Sequence, residues 1–529
     1  MARYGNRPTQ FNRTWPGAQG ALKQYANGIY RPRRKEGGGE ASRISSVVNL
    51  LNTIVGAGTL AMPAVMSKMG VTLGIFLMIW SGITAAFGLY LQGRCARYLD
   101  RGKSSFFALS QITYPNLAII FDGAIAIKCF GVGVSYMIII GDLMPGVMLG
   151  FDSRAGEVPF LVDRKFWITA FMLPVILLAF LKRLDSLKYT SLVALVSIGY
   201  LVILVVYHFF ADDLSGRGPI RVIEWAGPVA TLSSLPVVVF AYTCHQNMFS
   251  ILNEISDDSP KNVVTVVGSS IGSAASIYIL VAITGYLTFG NEVTGNIVSM
   301  YVPSVASTIA KAAIVVLVTF SVPLQIHPCR ASIDAVMKWR PNKAQNNNNP
   351  AAPHNSRTIL PSSSSDAPRS DHSSGSMSEM RFAAITTAIL VMSYITALSV
   401  TSLDRMLSYV GSTGSTSISF ILPGLFYYKI SDPEGIHYQR LSKESDDLDS
   451  VGSDDADDHA LSGSTSSLRS FVGSAASATL PAKLRKAWRW DLEHIDHGLL
   501  RKLALALSYY GVAVMVICLV MNTWFSVTH

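Results

Sequence analysis

The chain has 529 residues, half of them hydrophobic and only 15% charged, with a formal net charge of +9. It is long enough for a large helical bundle. Its five cysteines (Cys95, Cys129, Cys244, Cys329 and Cys518) show no repeated spacing, which excludes a disulfide framework or a zinc pattern. No Gly-x4-Gly-Lys-Ser/Thr stretch occurs, so direct ATP drive is unsupported, and the positive charge lies largely in polar flanks rather than in a nucleic-acid-binding domain.

Residues 1–43 hold nine Lys or Arg among many Gly, Asn and Pro, and read as a disordered basic cytosolic tail with no cleavable signal peptide. The sequon at Asn12 falls in this tail and is discounted. Eleven apolar runs of about 20 residues or more follow, long enough to cross a bilayer as helices. They cover 44–67, 72–93, 117–148, 166–182, 188–210, 228–250, 263–288, 305–326, 381–401, 407–428 and 501–525. Spans one to eight thus occupy 44–337, spans nine and ten 381–430, and span eleven 501–529 with a short lumenal tail. Lys and Arg divide almost evenly between the two sets of short loops, so the basic tail decides the orientation, with the N-terminus in the cytosol.

Span one contains Asn52-Thr-Ile-Val-Gly-Ala-Gly-Thr-Leu-Ala-Met-Pro63. Glycines and a proline this close together predict an interrupted helix. In hydrocarbon an interruption persists only where protein or a solvated cavity surrounds it. The amides of Gly56, Ala57, Gly58 and Thr59 then point at an anionic group such as a carboxylate, aided by the positive end of the half-helix that follows. Close helix packing through small residues is the competing explanation.

Span six carries a second polar interruption, Leu235-Pro-Val-Val-Val-Phe-Ala-Tyr-Thr-Cys-His-Gln-Asn247. Freed carbonyls near Phe240, Ala241, Tyr242 and Thr243 could accept from an ammonium. Interrupted spans five apart suggest two inverted five-helix repeats around a central site. The glycines of span seven, Gly268 and Gly272, are assigned to packing. Gly411 and Gly414 of span ten fit either a seam or a moving element. Asp122, Lys128, Asp142 and Glu254 are suspects as ionisable groups in or near spans, while Lys311 is expected to snorkel.

Two polar insertions interrupt the later spans, and both fall on the cytosolic side. Residues 338–380 and 431–480 are low-complexity, and 431–500 forms an acidic, Ser-rich loop ending in an interfacial helix over 481–498. Its serines beside acidic residues are phosphorylation candidates, which makes cytosolic kinases candidate partners.

The span-one stretch resembles the opening motif of the amino acid/auxin permease family. Phe240-Ala-Tyr-Thr-Cys-His245 with Ile251-Leu-Asn-Glu-Ile255 is similar to that family's sixth span. Val318-Thr-Phe-Ser-Val-Pro323 and Gly411-Ser-Thr-Gly-Ser-Thr-Ser-Ile-Ser-Phe-Ile-Leu-Pro-Gly424 resemble its eighth and tenth. Within the family the look-alikes are fungal vacuolar amino-acid transporters and animal sodium-coupled neutral amino-acid transporters. The resemblance implies an all-α polytopic protein with a LeuT-like 5+5 inverted repeat, discontinuous helices 1 and 6, and an eleventh helix. It also implies transport of amino acids across the bilayer by alternating access, with no catalytic residues, no cofactor and no nucleic-acid partner. The vacuolar resemblance points to H⁺ as the coupling ion and to the vacuolar membrane. The alternatives are a Na⁺-coupled importer of the plasma membrane, or an amino-acid receptor with a transporter fold. Na⁺ would be held at positions matching the sodium-coupled relatives, Asn52 with Thr319 or Ser321. Proton coupling needs a group that titrates near neutral pH, for which His245 is the candidate, a neutral packing histidine being the alternative.

Overall fold

The computed structural model describes residues 39–99, 102–181, 190–211, 217–338, 378–435, 439 and 497–528. The basic tail up to residue 38, nearly all of both polar insertions and residues 481–496 of the expected interfacial helix lie outside the described residues.

Helices dominate, as bilayer-length apolar runs require, since only an intra-segment ladder satisfies every backbone amide in hydrocarbon. Span one is two helices, α1 (Arg43–Ile54) and α2 (Ala57–Met69), bent by 55°. Span two is α3 (Val71–Ala96), entered through Gly70, whose φ of 77° and close approach to the Glu224 carbonyl leave no room for a side chain. A short α4 (Phe106–Thr113) precedes span three, α5 (Ala118–Phe151). At 1.5 Å per residue the 34 residues of α5 run about 51 Å, more than a bilayer's thickness. Spans four and five are α6 (Arg164–Ala179) and α7 (Thr190–Ala211).

The second half repeats the plan. Span six is α8 (Pro228–Ala241) and α9 (His245–Glu254), and span seven is α10 (Pro260–Phe289). After the short α11 (Ile297–Met300), span eight is α12 (Val305–Lys338) and span nine is α13 (Glu379–Ser399). Span ten is composite: α14 (Leu403–Val410), π-helical turns over Gly411–Ser415 and Ser417–Ile421, then α15 (Leu422–Ile430). Span eleven is α16 (His497–Thr528). Among the described residues eight helical runs are long and apolar enough to cross a membrane, one of them the whole of span six over Pro228–Glu254, and the bent pair of span one makes a ninth. Spans four and ten fall short of that criterion because one is 16 residues long and the other is interrupted.

The packing of the first ten spans follows a two-fold pattern in which most contacts recur five spans later. Span one packs on span seven, and span six on span two; span three packs on span ten, and span eight on span five. Span four packs on span eight, and span nine on span three. Five spans per half is an odd number, so the halves run in opposite senses, which is the inverted repeat expected from the pattern of interrupted spans. Spans three and eight form the most extensive pairing, a scaffold beside the broken pair one and six. On the N-terminal face, Ala41 pairs with the end of span six through Ala41 N to Glu254 O (2.9 Å) and Ser256 N to Ala41 O (3.0 Å). Asn247 Nδ2 of α9 also donates to Thr53 Oγ1 of α1 at 3.1 Å.

Candidate functional site

The helical ladder of span one stops where the sequence places Gly-Ala-Gly. The Val55 amide still reaches back to the Leu51 carbonyl at 2.8 Å, and Thr59 N donates to Gly56 O at 3.0 Å. Between them, the amides of Gly56, Ala57 and Gly58 meet no acceptor among the described residues. They sit at the positive end of the 13-residue α2, the geometry that favours an anion. A methyl group added at Gly56 would touch nothing within 4 Å, so open space adjoins these amides. One added at Gly58 would sit 2.7 Å from Ala241 Cβ, because spans one and six touch there. Pro63 does not make the break: it lies inside α2, downstream of the interruption, and its ring packs against Gly285 of span seven.

In span six, α8 ends at Ala241 and α9 resumes at His245. Tyr242 N reaches Val238 O at 3.3 Å, and Thr243 N closes a tight turn onto Phe240 O at 3.0 Å. Pro236 again lies within the helix rather than at the break. Thr243 Oγ1 donates to Val239 O at 2.8 Å and receives Ser419 Oγ of span ten at 3.2 Å. Phe240, Ala241, Tyr242 and Thr243 are all buried.

The two breaks meet at a residue the sequence reading missed. The Tyr278 hydroxyl of span seven lies 2.7 Å from the Ile54 carbonyl and 2.8 Å from the Ala241 carbonyl. These oxygens close α1 and α8, and a single hydroxyl hydrogen must serve both. Tyr278 is fully buried, and Tyr242 packs edge-on against it with ring centroids 5.2 Å apart. A phenol between two isoleucines in an apolar span, Ile277-Tyr278-Ile279, is the available signal, since a buried tyrosine hydroxyl seeks a partner.

The expected ion-coupling residues are not joined to one another. Asn52 Oδ1 is buried and accepts no hydrogen bond among the described residues. Thr319 Oγ1 donates to Val315 O at 2.7 Å and Ser321 Oγ to Leu317 O at 2.8 Å, each within its own helix. His245 is fully buried at the start of α9, its Nε2 3.1 Å from the Ala85 carbonyl. A carbonyl only accepts, so Nε2 carries a hydrogen, while Nδ1 is buried without a partner. Gly88 makes room for the ring: a methyl group there would approach His245 Nε2 to 2.8 Å.

Asp142 pairs with Arg164 at 2.9 Å, and Glu254 is exposed at the end of α9. Two expectations are corrected. Lys311 does not snorkel: it is 2% exposed and donates to the Tyr301 carbonyl at 2.8 Å, a buried acceptor that removes the need to reach water. Gly268 and Gly272 are not packing positions, since both are exposed and a methyl group on either would touch nothing within 4 Å. Gly411 and Gly414 do form a seam, Gly411 against the Pro236 carbonyl of span six and Gly414 against the Lys128 backbone of span three. An apolar crevice lined by Met137, Val175, Val322 and Ile389 lies among spans three, four, eight and nine, away from both breaks.

Two inverted halves of membrane-length helices, with two broken spans meeting at the Tyr278 hydroxyl and amides left free in span one, make the architecture of a polytopic carrier. The chain belongs to the family of transmembrane amino acid transporter proteins, whose model matches residues 39–445. It is 43% identical over 396 residues to vacuolar amino acid transporter 5 of Schizosaccharomyces pombe, covering 74% of this chain and 86% of that one. Vacuolar amino acid transporter 6 of Saccharomyces cerevisiae is 42% identical over 416 residues, covering 74% and 91%. Sodium-coupled neutral amino acid transporter 7 of Mus musculus is 27% identical over 312 residues, covering 56% and 65%.

Proposed function

We propose that the protein is a secondary active amino-acid transporter of the vacuolar membrane. It acts as a carrier rather than an enzyme, moving amino acids from the lumen to the cytosol together with H⁺ by alternating access. One observation carries this reading: the acceptor-free amides of Gly56, Ala57 and Gly58 and the shared carbonyls of Ile54 and Ala241 flank the contact of Gly58 with Ala241 between the two broken spans. An α-carboxylate takes the amides of Gly56, Ala57 and Gly58, the expected Thr59 amide being engaged with the Gly56 carbonyl, and an α-ammonium takes carbonyl oxygens released from Tyr278 and along Phe240 to Thr243. Because these contacts are main-chain, they recognise the part common to all amino acids. Rocking of the broken pair against the scaffold of spans three and eight then exposes the site to each face in turn. The names of the relatives at 43% and 42% identity support the organelle and the substrate class.

The N-terminus faces the cytosol, which places the pairing of Ala41 with span six on that side and the Lys68 end of α2 on the lumenal side. A second reading, Na⁺ coupling, is favoured by the unpartnered Asn52 Oδ1, an oxygen suited to a hard cation. Flux through the purified protein in proteoliposomes separates the two. A pH gradient alone is expected to drive uptake of labelled amino acid, with no change when choline replaces Na⁺. Uptake that needs Na⁺ and ignores the pH gradient would sink the H⁺ reading, and absence of any flux would sink the carrier reading.

A further inference from the structure

Span three holds a lysine whose amine none of the contacts above employs. Lys128 lies in the first half of the 34-residue α5 and is 4% exposed. Span ten closes over its backbone, since a methyl group at Gly414 would stand 2.7 Å from Lys128 Cβ and 2.8 Å from its amide nitrogen. The ionisable groups whose fields meet its amine are Cys129 on the same helix, and Cys244 and His245 at the span-six break. Neither a thiol nor an imidazole brings a negative charge to balance an ammonium. Nearby carboxylates are engaged elsewhere: Asp142, further along α5, with Arg164, and on neighbouring elements Asp334 with Arg381 and Lys338, and Asp404 with Lys68. Asp122 lies on α5 itself, six residues before Lys128 and on a different face, and makes no ion pair with it among the described residues.

The other buried cations of the bundle are provided for. Lys311 donates to the Tyr301 carbonyl, and Arg330 donates to Thr386 Oγ1 and the Ala179 carbonyl and stacks on Phe382. Lys128 alone among these three has neither a hydrogen-bond acceptor nor a carboxylate among the described residues. A permanent charge is costly in such a place, and a lysine can exchange its proton whereas an arginine cannot. The element packed on it is also one that could move: the π-helical segment of span ten that contains Gly414. π-helical turns inside α-helices occur frequently at functional sites.

We propose that Lys128 is the proton-carrying group of the transport cycle, taking a proton from the acidic face with substrate and releasing it to the neutral face. Only an N–H bond forms and breaks: hydronium gives its proton to the amine on one side, and water takes it back on the other. This inference rests on the H⁺ coupling proposed above, and it makes His245 a packing residue whose Nε2–H fixes α9 to span two.

The test uses the full chain in proteoliposomes with two readouts, counterflow of labelled amino acid at equal pH and amino-acid-evoked pH change reported by a trapped dye. Wild-type protein is expected to show both; if it moves substrate without protons, the coupling reading fails and not merely the assignment to Lys128. Lys128→Arg keeps the charge and cannot release it. The loaded carrier still crosses both ways, so counterflow is retained, while uptake driven by a pH gradient falls tenfold or more. Lys128→Met cannot take up a proton, so protons moved per substrate fall to a tenth or less, and this ratio decides the matter if the arginine variant does not fold. Either variant moving protons and substrate in the wild-type ratio overturns the proposal. So does a tenfold rise in KM for counterflow in Lys128→Arg, which would make the amine a carboxylate anchor instead.

Discussion

The breaks in spans one and six do the same job by different local means. In span one the chain stops at a glycine-rich segment and turns through 55°, with Gly56 facing open space. In span six there is no glycine: Tyr242, Thr243 and Cys244 leave the helix and Thr243 ties itself back to Val239 through its hydroxyl. Proline, the residue that most readily interrupts a helix, makes neither break. Pro63 and Pro236 both lie within helices, where neighbouring helices surround the freed backbone. The position of a break is therefore set by what receives the free carbonyls, here the Tyr278 hydroxyl.

The strongest test of that comparison is a side chain pushed into the space on the span-one side only. Gly56→Leu places its bulk where no protein atom lies within 4 Å of the added carbon, so folding should be preserved. Counterflow of labelled amino acid is expected to fall at least a hundredfold, with a thermal unfolding midpoint close to that of the wild type. Intact counterflow would remove the carboxylate site from span one.

Next in size is the residue common to both breaks. Tyr278→Phe leaves the Ile54 and Ala241 carbonyls without their shared donor, and an unmet buried acceptor costs about 1–3 kcal/mol. A drop of several degrees in the unfolding midpoint is expected, together with at least tenfold slower counterflow. A variant with wild-type stability would show that the breaks do not depend on this hydroxyl.

These two residues mark what could be read from the sequence. The eleven apolar runs, the two interrupted spans and the five-span repeat follow from length and local polarity, and the structure carries all three. Gly56 was legible because a glycine-rich segment inside an apolar run has a local physical meaning. Tyr278 was not, because its role exists only once span seven packs between chain segments 224 and 37 residues away. Lys311 and Gly268 failed for the same reason: whether a lysine finds a buried carbonyl, or a glycine finds a neighbour, depends on rotation of the helix about its axis. An amphipathic pattern would reveal that rotation, but spans seven and eight are apolar nearly all round.

A smaller effect is expected where the two broken spans touch. Gly58→Ala forces its methyl group against Ala241 Cβ, and overpacking of this kind costs about 1–3 kcal/mol. Counterflow should slow by roughly threefold to tenfold, since part of the cost falls on all states of the cycle alike. The double variant Gly58→Ala/Ala241→Gly moves the methyl group across the contact and should recover most of the loss. Failure of the second substitution to rescue the first would mean that Gly58 matters for its backbone rather than for its missing side chain.

The least effect belongs to the ion pair that ties the far end of α2 to span ten, Lys68 Nζ to Asp404 Oδ2 at 2.7 Å. Asp404 is the second residue of α14, and its carboxylate also accepts from Ser402 Oγ, so the pair makes its own contribution to holding spans one and ten together. With both side chains partly exposed, that contribution is about 1 kcal/mol or less. Asp404→Asn should therefore lower the unfolding midpoint by about 2 °C or less and leave counterflow close to that of the wild type. The contact is a fastening between spans one and ten and takes no part in binding. A tenfold or greater loss of counterflow in Asp404→Asn at unchanged stability would overturn that ranking and make the far end of α2 a working part of the cycle.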